Sequence, residues 1–112
     1  MALKTLGTAT NLTATVEATI YTVPASKESH GIVTFCNQTS GQALIRLRVK
    51  PSADTLGTQH YLEYNYPLMS AGNVGNVVKV RVSMATGDVI YAYSDTTNVS
   101  CSVQGDETAP TS

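Results

Sequence analysis

The side chains of this 112-residue chain that could do chemistry are few and scattered. His30, His60, Cys36 and Cys101 are its only histidines and cysteines. A zinc site needs three or four such ligands at short spacings, and the chain has no HxH, HExxH or CxxC pattern. Cys36 follows His30 by six residues, and along a strand those two side chains would be separated. The histidines are therefore predicted to be structural or solvated, and we expect no metal and no cofactor.

A catalytic set is not indicated either. Serines are numerous, but none lies in a GxSxG turn. A thiol nucleophile has to be exposed and activated by a neighbouring base, whereas both cysteines lie in apolar, strand-like runs and are expected to be buried free thiols. The pattern leaves open whether they pair, since a Cys36–Cys101 disulfide requires neighbouring strands. Carboxylates such as Glu17, Glu63 and Asp88 are scattered along the chain, so we predict that the protein is not an enzyme.

The composition argues against several classes of partner. Hydrophobic residues make up 42% of the chain and charged residues only 13%, about half the usual share of charge. The formal net charge is −1 and the pI is about 6.0, which predicts no strong attraction to nucleic acid or to an anionic membrane. We expect no signal peptide, because no apolar run follows the first residues, and no transmembrane helix, because no run approaches about 18 apolar residues.

The elements that would position a surface site are β-strands. Ile45, Leu47 and Val49 alternate with basic residues, which is the two-residue period of a strand with one apolar and one cationic face. Similar short runs are separated by turn formers roughly every 8–12 residues. The sequence therefore predicts an all-β fold, an antiparallel β-sandwich that is jelly-roll-like or Ig-like, with about seven to eight strands. The predicted organisation is an N-terminal arm (1–11), a β-sandwich domain (12–105) and a polar C-terminal tail (106–112).

The surface features suited to binding are basic and aromatic. One strand face carries three basic residues, and Lys79 and Arg81 alternate with valines on another strand. Such faces are either solvated or meet carboxylates across an interface, and the tyrosines either pack at the core and its edges or lie in an interface. Nucleic-acid grooves interleave rings and basic residues, whereas these tyrosines lie on other runs, so we expect no nucleic-acid partner. The candidate protein-interface residues are Leu3, Leu6, Arg46, Arg48, Lys50, Tyr61, Tyr64 and Tyr66.

Six short segments follow one another between residues 18 and 105. They read ATIYTVPA (18–25), FCN (35–37), IRLRV (45–49), HYLEY (60–64) with a proline at 67, GDVIY (87–91) and NVSCSVQG (98–105). The ordered set resembles a widespread family of small phage virion structural proteins, in which the opening reads xLYTVPAG and the closing segments read GDxIxxY/V and NVSxSxxG. The chain departs from this pattern at Ser26, where the family has glycine, and in the variable stretch 71–76, both of which are expected to be loops.

The resemblance implies a sandwich or jelly-roll domain without enzyme activity in assembled phage particles. Such proteins act as capsid cement (decoration) proteins, often trimeric, or as parts of tails and fibres. We expect a capsid cement protein that is assembled in the host cytoplasm, lies at the virion surface, and binds the major capsid protein and itself, because a lone domain with short flanks is typical of that role. The alternatives are a tail, baseplate or fibre-associated protein and a host-surface carbohydrate-binding module.

Overall fold

Residues 4–109 are described by the computed structural model and contain eight β-strands and one single-turn 3₁₀ helix. The strands are β1 (Lys4–Leu12), β2 (Ala18–Thr22), β3 (Glu28–Asn37), β4 (Ala43–Lys50), β5 (Tyr61–Leu68), β6 (Val77–Met84), β7 (Val89–Ser94) and β8 (Val99–Thr108). The 3₁₀ helix, Thr58–His60, directly precedes β5.

The strands form two four-stranded antiparallel sheets that enclose one core. Sheet I has the order β1-β8-β3-β6, and sheet II has the order β2-β7-β4-β5. β1 pairs with β8, β2 with β7, β3 with β6 and β4 with β5, which is the pairing of a long hairpin rolled into a jelly roll. The predicted all-β sandwich is confirmed, and its strand order is that of the jelly roll rather than of the Ig fold.

The core is built from alternate residues of each strand. In β4, Ile45 and Leu47 are fully buried, and the alternating Arg46 and Arg48 face outward. In β3, Val33 and Phe35 face inward in the same way. Fully burying such a side chain contributes about 1.5–3 kcal/mol to stability, so the apolar residues of each strand face the core. Because successive side chains point to opposite sides of a strand, the residues between them face outward.

The N-terminal arm predicted for residues 1–11 is wrong for the part that the structure describes. Those residues form most of β1, which pairs with β8 in sheet I. Leu6 lies opposite Val103 and is only 1% exposed, so it belongs to the core and not to an interface. The register of the pair shifts just after Leu6, and this irregularity interrupts the period that would reveal a strand. Leu3, the other predicted arm contact, lies outside the described residues.

The predicted C-terminal boundary at residue 105 is also too early. β8 continues to Thr108 and pairs with β3 as far as Glu28. Polar side chains hold this end, because the Tyr21 hydroxyl lies 2.8 Å from the Ser29 hydroxyl and donates to the Glu107 carboxylate. Burial and the hydrogen bond to Glu107 raise the pKa of Tyr21 to about 12. Residues 106–108, which read as the start of a tail, are therefore the end of a strand.

A second buried polar side chain, Asn37, ends β3 on the other side of the molecule. It is 0% exposed. Its Nδ2 donates to the backbone carbonyls of Gly41 (2.8 Å), Leu68 (3.3 Å) and Met69 (3.0 Å). Its Oδ1 accepts from the backbone N–H of Thr39 (2.9 Å) and from the Thr39 hydroxyl (2.7 Å). One amide therefore joins the turn after β3 to the end of β5.

The two cysteines lie on neighbouring strands but face opposite sides of sheet I. Cys101 stands opposite Phe35 in the core, whereas Cys36 stands opposite Ser100 on the outer side and is partly exposed. Both are free thiols. The prediction of a buried free thiol is confirmed for Cys101, whose pKa is raised to about 12 by burial, and is wrong for the exposure of Cys36.

Candidate protein-binding face

The outer face of sheet II brings together side chains from three strands. β4 lies between β7 and β5, so its outward side chains have neighbours on both sides. Arg46 stands opposite Tyr93 of β7, and Arg48 stands opposite Tyr91. On the other side, Arg48 stands opposite Tyr61 of β5. We call this set the Tyr–Arg face, and it comprises Arg46, Arg48, Tyr61, Tyr64, Tyr91 and Tyr93.

Arg46 is held by two aromatic rings. Its Cζ lies 4.5 Å from the ring centroid of Tyr64 and 4.6 Å from that of Tyr93. Its Nε donates to Asn65 Oδ1 at 2.8 Å, and its two Nη atoms have no hydrogen-bond partner within residues 4–109. Cation–π contacts at exposed sites contribute about 0.5–1 kcal/mol each. The guanidinium is therefore positioned by the fold while most of its donors remain unused.

Tyr61 and Tyr64 lie on the same face because β5 is irregular. In a regular strand, residues three apart point to opposite sides. The register between β4 and β5 shifts on both sides of Leu47, and Asn65 adopts a φ of 54°. These bulges bring the two rings edge to face, with a centroid distance of 4.9 Å and an interplanar angle of 77°.

Arg48 lies between two rings as well, but it is also bound by a carboxylate. Its Cζ lies 4.8 Å from the ring centroid of Tyr61 and 5.9 Å from that of Tyr91. Its Nε and Nη2 donate to the two oxygens of Glu17 at 2.7 and 2.5 Å, a bidentate ion pair. The hydrogen bonds to Glu17 raise the pKa of Arg48 further above its ordinary value. This guanidinium is thus both stacked and neutralised within the chain.

Some of the predicted interface residues do not join the Tyr–Arg face. Lys50 lies at the end of β4 and its Nζ donates to the backbone carbonyl of Asp54 (3.0 Å), so its ammonium group folds onto the next loop. Tyr66 stands opposite the buried Ile45, on the core side of the edge strand β5, and is 39% exposed. Of the eight candidates, four therefore meet on one surface: Arg46, Arg48, Tyr61 and Tyr64.

Basic residues lie on both outer faces of the sandwich. Lys79 and Arg81 lie on β6, on the outside of sheet I. With Ile32 and His30 they line an open depression of about 670 Å³ in which no tyrosine takes part. His30 Nδ1 lies 3.1 Å from the Ser83 hydroxyl at its edge. The two faces are therefore both cationic, but only one of them is aromatic.

Two residues of the Tyr–Arg face, Tyr91 and Tyr93, and two partners of its arginines, Glu17 and Asn65, were not among the sequence-predicted ones. The alternation of β7 carries a usable signal, because Tyr91 and Tyr93 have the same two-residue spacing as the arginines they contact. Glu17 lies 31 residues before Arg48 and gives no such signal, and Asn65 joins the site only through a bulge. The premise used against nucleic-acid binding, that rings and basic residues lie apart, is wrong in three dimensions, and the absence of such binding stays a prediction.

His60 makes its hydrogen bonds within its own loop. Its Nδ1 accepts from the Gly57 N–H at 3.1 Å, and its Nε2 lies 3.1 Å from Asp54 Oδ2.

Within residues 4–109, no group of three or more His, Cys, Asp or Glu side chains is arranged to hold a metal ion. The same part of the chain contains no helix with the length and apolarity needed to cross a membrane.

The chemistry of the Tyr–Arg face is that of recognition. Phenol rings and guanidinium groups bind by stacking, by hydrogen bonds and by charge, and both residue types are enriched at protein interfaces. Comparison of the chain with protein-family models, with curated proteins and with solved structures gives no match.

Proposed function

We propose that the chain is a phage virion structural protein, a capsid cement (decoration) protein that stabilises the head by bridging major capsid protein subunits without covalent bonds. The observation that carries the proposal is the Tyr–Arg face, where rings and guanidinium groups are already positioned on one sheet surface. Tyr and Arg are over-represented among the residues that dominate binding energies. The ordered segments between residues 18 and 105 support the phage setting.

The Tyr–Arg face is suited to a lasting contact for two physical reasons. Ordering a flexible side chain at an interface costs about 0.5–1.5 kcal/mol, and stacking has ordered these arginines before contact. The rings also supply apolar area, whose burial contributes about 25 cal/mol per Å². A cement protein repeats the same contact at every symmetry-related site, so a modest gain per copy sums over the whole shell. A homotrimer, which the resemblance implies, would present three such faces.

Two other roles use the same surface differently. A tail, baseplate or fibre-associated protein would make the same kind of contact elsewhere on the virion, and only its position on the particle separates it from a cement protein. A carbohydrate-binding module is less well supported, because sugars stack on open ring faces. Here Arg46 lies against the rings of both Tyr64 and Tyr93.

Particles of the encoding phage made without this protein provide the test. Purified wild-type protein is expected to sediment with these heads, and a labelled antibody is expected to mark the head in electron micrographs. Labelling of the tail alone would replace the cement role by the tail-associated one. Absence of binding to heads and tails would overturn both.

Two tyrosines of β5 form a matched pair of variants for the same assay. Tyr64→Ala removes a ring of the face that is 56% exposed, and Tyr66→Ala removes a ring on the other side of the strand that is 39% exposed. We expect Y64A to weaken head binding about tenfold or more and Y66A to leave it within about twofold. Equal losses in the two variants would assign head binding to a different surface.

A further inference from the structure

Arg46 and Arg48 occupy similar positions on β4, but only Arg48 has a carboxylate partner. Both point outward from β4, and each lies against two tyrosine rings. Glu17 binds the guanidinium of Arg48 through two hydrogen bonds of 2.7 and 2.5 Å. Within residues 4–109, no carboxylate does the same for Arg46. The chain therefore contains one complete and one incomplete version of the same arrangement.

The unused N–H donors of Arg46 determine which kind of ligand group would bind it. A guanidinium has five N–H donors in a planar fork. The Nε of Arg46 is occupied by Asn65, and the tyrosine rings lie against the guanidinium, so its two Nη groups are left for a ligand. A carboxylate matches such a fork with two parallel hydrogen bonds, which a single carbonyl or hydroxyl oxygen cannot do.

Three carboxylates around β4 are already bound within the chain, and Glu63, which stands opposite Leu47 on β5, is not bonded to Arg46. Glu17 is paired with Arg48. Asp95 accepts a hydrogen bond at 2.9 Å from a backbone N–H at the start of β4. Asp54 lies 3.1 Å from the imidazole of His60. Because no carboxylate among the described residues binds Arg46, an acidic acceptor for its Nη groups would come from another molecule.

We propose that Arg46 anchors an Asp or Glu side chain of the major capsid protein, bound bidentately through its two Nη groups because Asn65 occupies the Nε. This inference rests on the proposed cement function and adds to it the chemistry and position of the contact. A carboxylate at this site would be desolvated between two rings and held by two hydrogen bonds. Losing one partner of such a pair mainly accelerates dissociation, so Arg46 is expected to set the lifetime of the complex more than its rate of formation.

Two arginine variants measured on heads that lack the protein test the anchor. Arg46→Gln removes the charge from the Tyr–Arg face, and Arg81→Gln removes the same charge from the outside of sheet I. We expect R46Q to bind about 10- to 100-fold more weakly through faster dissociation, and R81Q to stay within about threefold of wild type. R46K keeps the charge but loses the fork, so its affinity is expected to lie between those of wild type and R46Q. Thermal unfolding of each variant shows that the fold is retained.

The R46K variant also identifies the acceptor. A carbodiimide activates carboxyl groups, and an amine in contact with one forms an amide bond as the activating group leaves as a urea. On heads carrying R46K, digestion and mass spectrometry are expected to find the peptide that contains position 46 joined to an Asp or Glu of the capsid protein. Wild-type protein, which has no amine at that position, is the control.

The possible outcomes separate this inference from the function on which it rests. If wild-type protein binds heads and R46Q binds equally well, the Arg46 anchor is refuted and the cement role stands. An amide bond from position 46 to a second copy of this chain refutes the capsid carboxylate and assigns the face to self-association. If wild-type protein does not bind heads at all, the cement role fails and the inference fails with it.

Discussion

Asn37 and Arg46 are two polar side chains of one sandwich whose bonding capacity is used in opposite ways. Asn37 is fully buried, and both its amide nitrogen and its oxygen have several partners. Arg46 is partly exposed and uses one of its three nitrogens, while two rings hold it in place. A buried polar group without a hydrogen-bond partner lowers the stability of the fold by about 1–3 kcal/mol. A polar group at the surface can form hydrogen bonds with water until a ligand replaces the water.

The same contrast holds for the rest of the described chain. Among the side chains that the structure describes, which exclude those of residues 4 and 7–9, no buried nitrogen or oxygen lacks a hydrogen-bond partner. Unused donors are therefore kept on the outside, where a partner can reach them. Interior substitutions are expected to lower the free energy of unfolding without changing the affinity of the folded protein for heads. Substitutions on the Tyr–Arg face are expected to lower that affinity with little change in the free energy of unfolding.

Asn37→Asp is expected to have the largest effect on stability. The substitution keeps the shape of the side chain but replaces two N–H donors by an oxygen that faces three backbone carbonyls. We expect a loss of about 3 kcal/mol or more in the free energy of unfolding, measured by guanidinium chloride denaturation. The control Asn73→Asp, in an exposed loop, is expected to stay within about 0.5 kcal/mol of wild type. Equal losses in both variants would contradict the role of the buried amide.

Tyr21→Phe is expected to have the next largest effect. It removes the hydroxyl that is bonded to Ser29 and Glu107 while keeping the ring in the core. We expect a loss of about 1–2 kcal/mol in urea denaturation, and about 0.5 kcal/mol or less for the control Tyr66→Phe on the partly exposed edge strand. Head binding of folded Y21F is expected to equal that of wild type, and a loss of affinity without a loss of stability would break the division between interior and face.

The stability difference between wild type and Y21F has a pH dependence of defined sign. The pKa of Tyr21 is raised from 10.0 to about 12 in the folded protein, so the folded state holds the phenol proton more tightly than the unfolded chain does. The stabilisation from the hydroxyl is therefore fully present below pH 10 and is lost as the pH rises through about 12. Urea denaturation at each pH is expected to show that the difference in the free energy of unfolding between wild type and Y21F decreases from pH 10 to about 12. A gap that widens would show that the hydroxyl is not protonated in the folded state.

Glu17→Gln is expected to have a smaller effect on stability because the ion pair is partly exposed. The side chains of Arg48 and Glu17 are 15% and 25% exposed. We expect a loss of about 1 kcal/mol in thermal denaturation, together with head binding within about threefold of wild type. The variant makes Arg48 resemble Arg46, since both guanidinium groups then lack a carboxylate. A large loss of head binding would show that Arg48, and not Arg46, contacts the partner.

Arg46→Gln is expected to have the smallest effect on stability, although it has a large expected effect on head binding. It removes contacts with two rings but leaves no buried charge without a partner. We expect a loss of about 0.5–1 kcal/mol in the free energy of unfolding, less than two full cation–π contacts because the glutamine side chain still packs on the rings. A loss as large as that of Y21F would mean that Arg46 is part of the folding core and not a reserved binding group.

The sequence predicts most of the fold because alternation and turn formers act locally. β4 shows this best, since each apolar residue of its clean two-residue period up to Leu47 is buried and each basic one faces outward. β1 was missed because its large apolar residues are few and a register shift separates Leu6 from Leu12. The end of β8 was missed because its polar residues bond to Tyr21, which lies far away in the sequence.

The candidate site could be predicted only in part. The outward direction of Arg46 and Arg48 follows from the period of β4, but which tyrosines meet them depends on the strand order and on two register shifts in β5. The two-residue period of β6 also does not show that its basic residues lie on sheet I, whereas those of β4 lie on sheet II. Glu17, the carboxylate that Arg48 has and Arg46 lacks, is brought to its place by tertiary structure and by no local pattern.

The pairing of β1 with β8 also determines how the protein could be put to use as a display scaffold. Lys4, at the start of β1, stands opposite Gly105, and β8 ends three residues later at Thr108. The start of β1 and the end of β8 are therefore close together on the same sheet. That sheet lies on the other side of the sandwich from the Tyr–Arg face. Cargo fused next to these two strand ends would start from the sheet opposite the Tyr–Arg face, and a particle decorated as proposed would carry it in many regularly spaced copies.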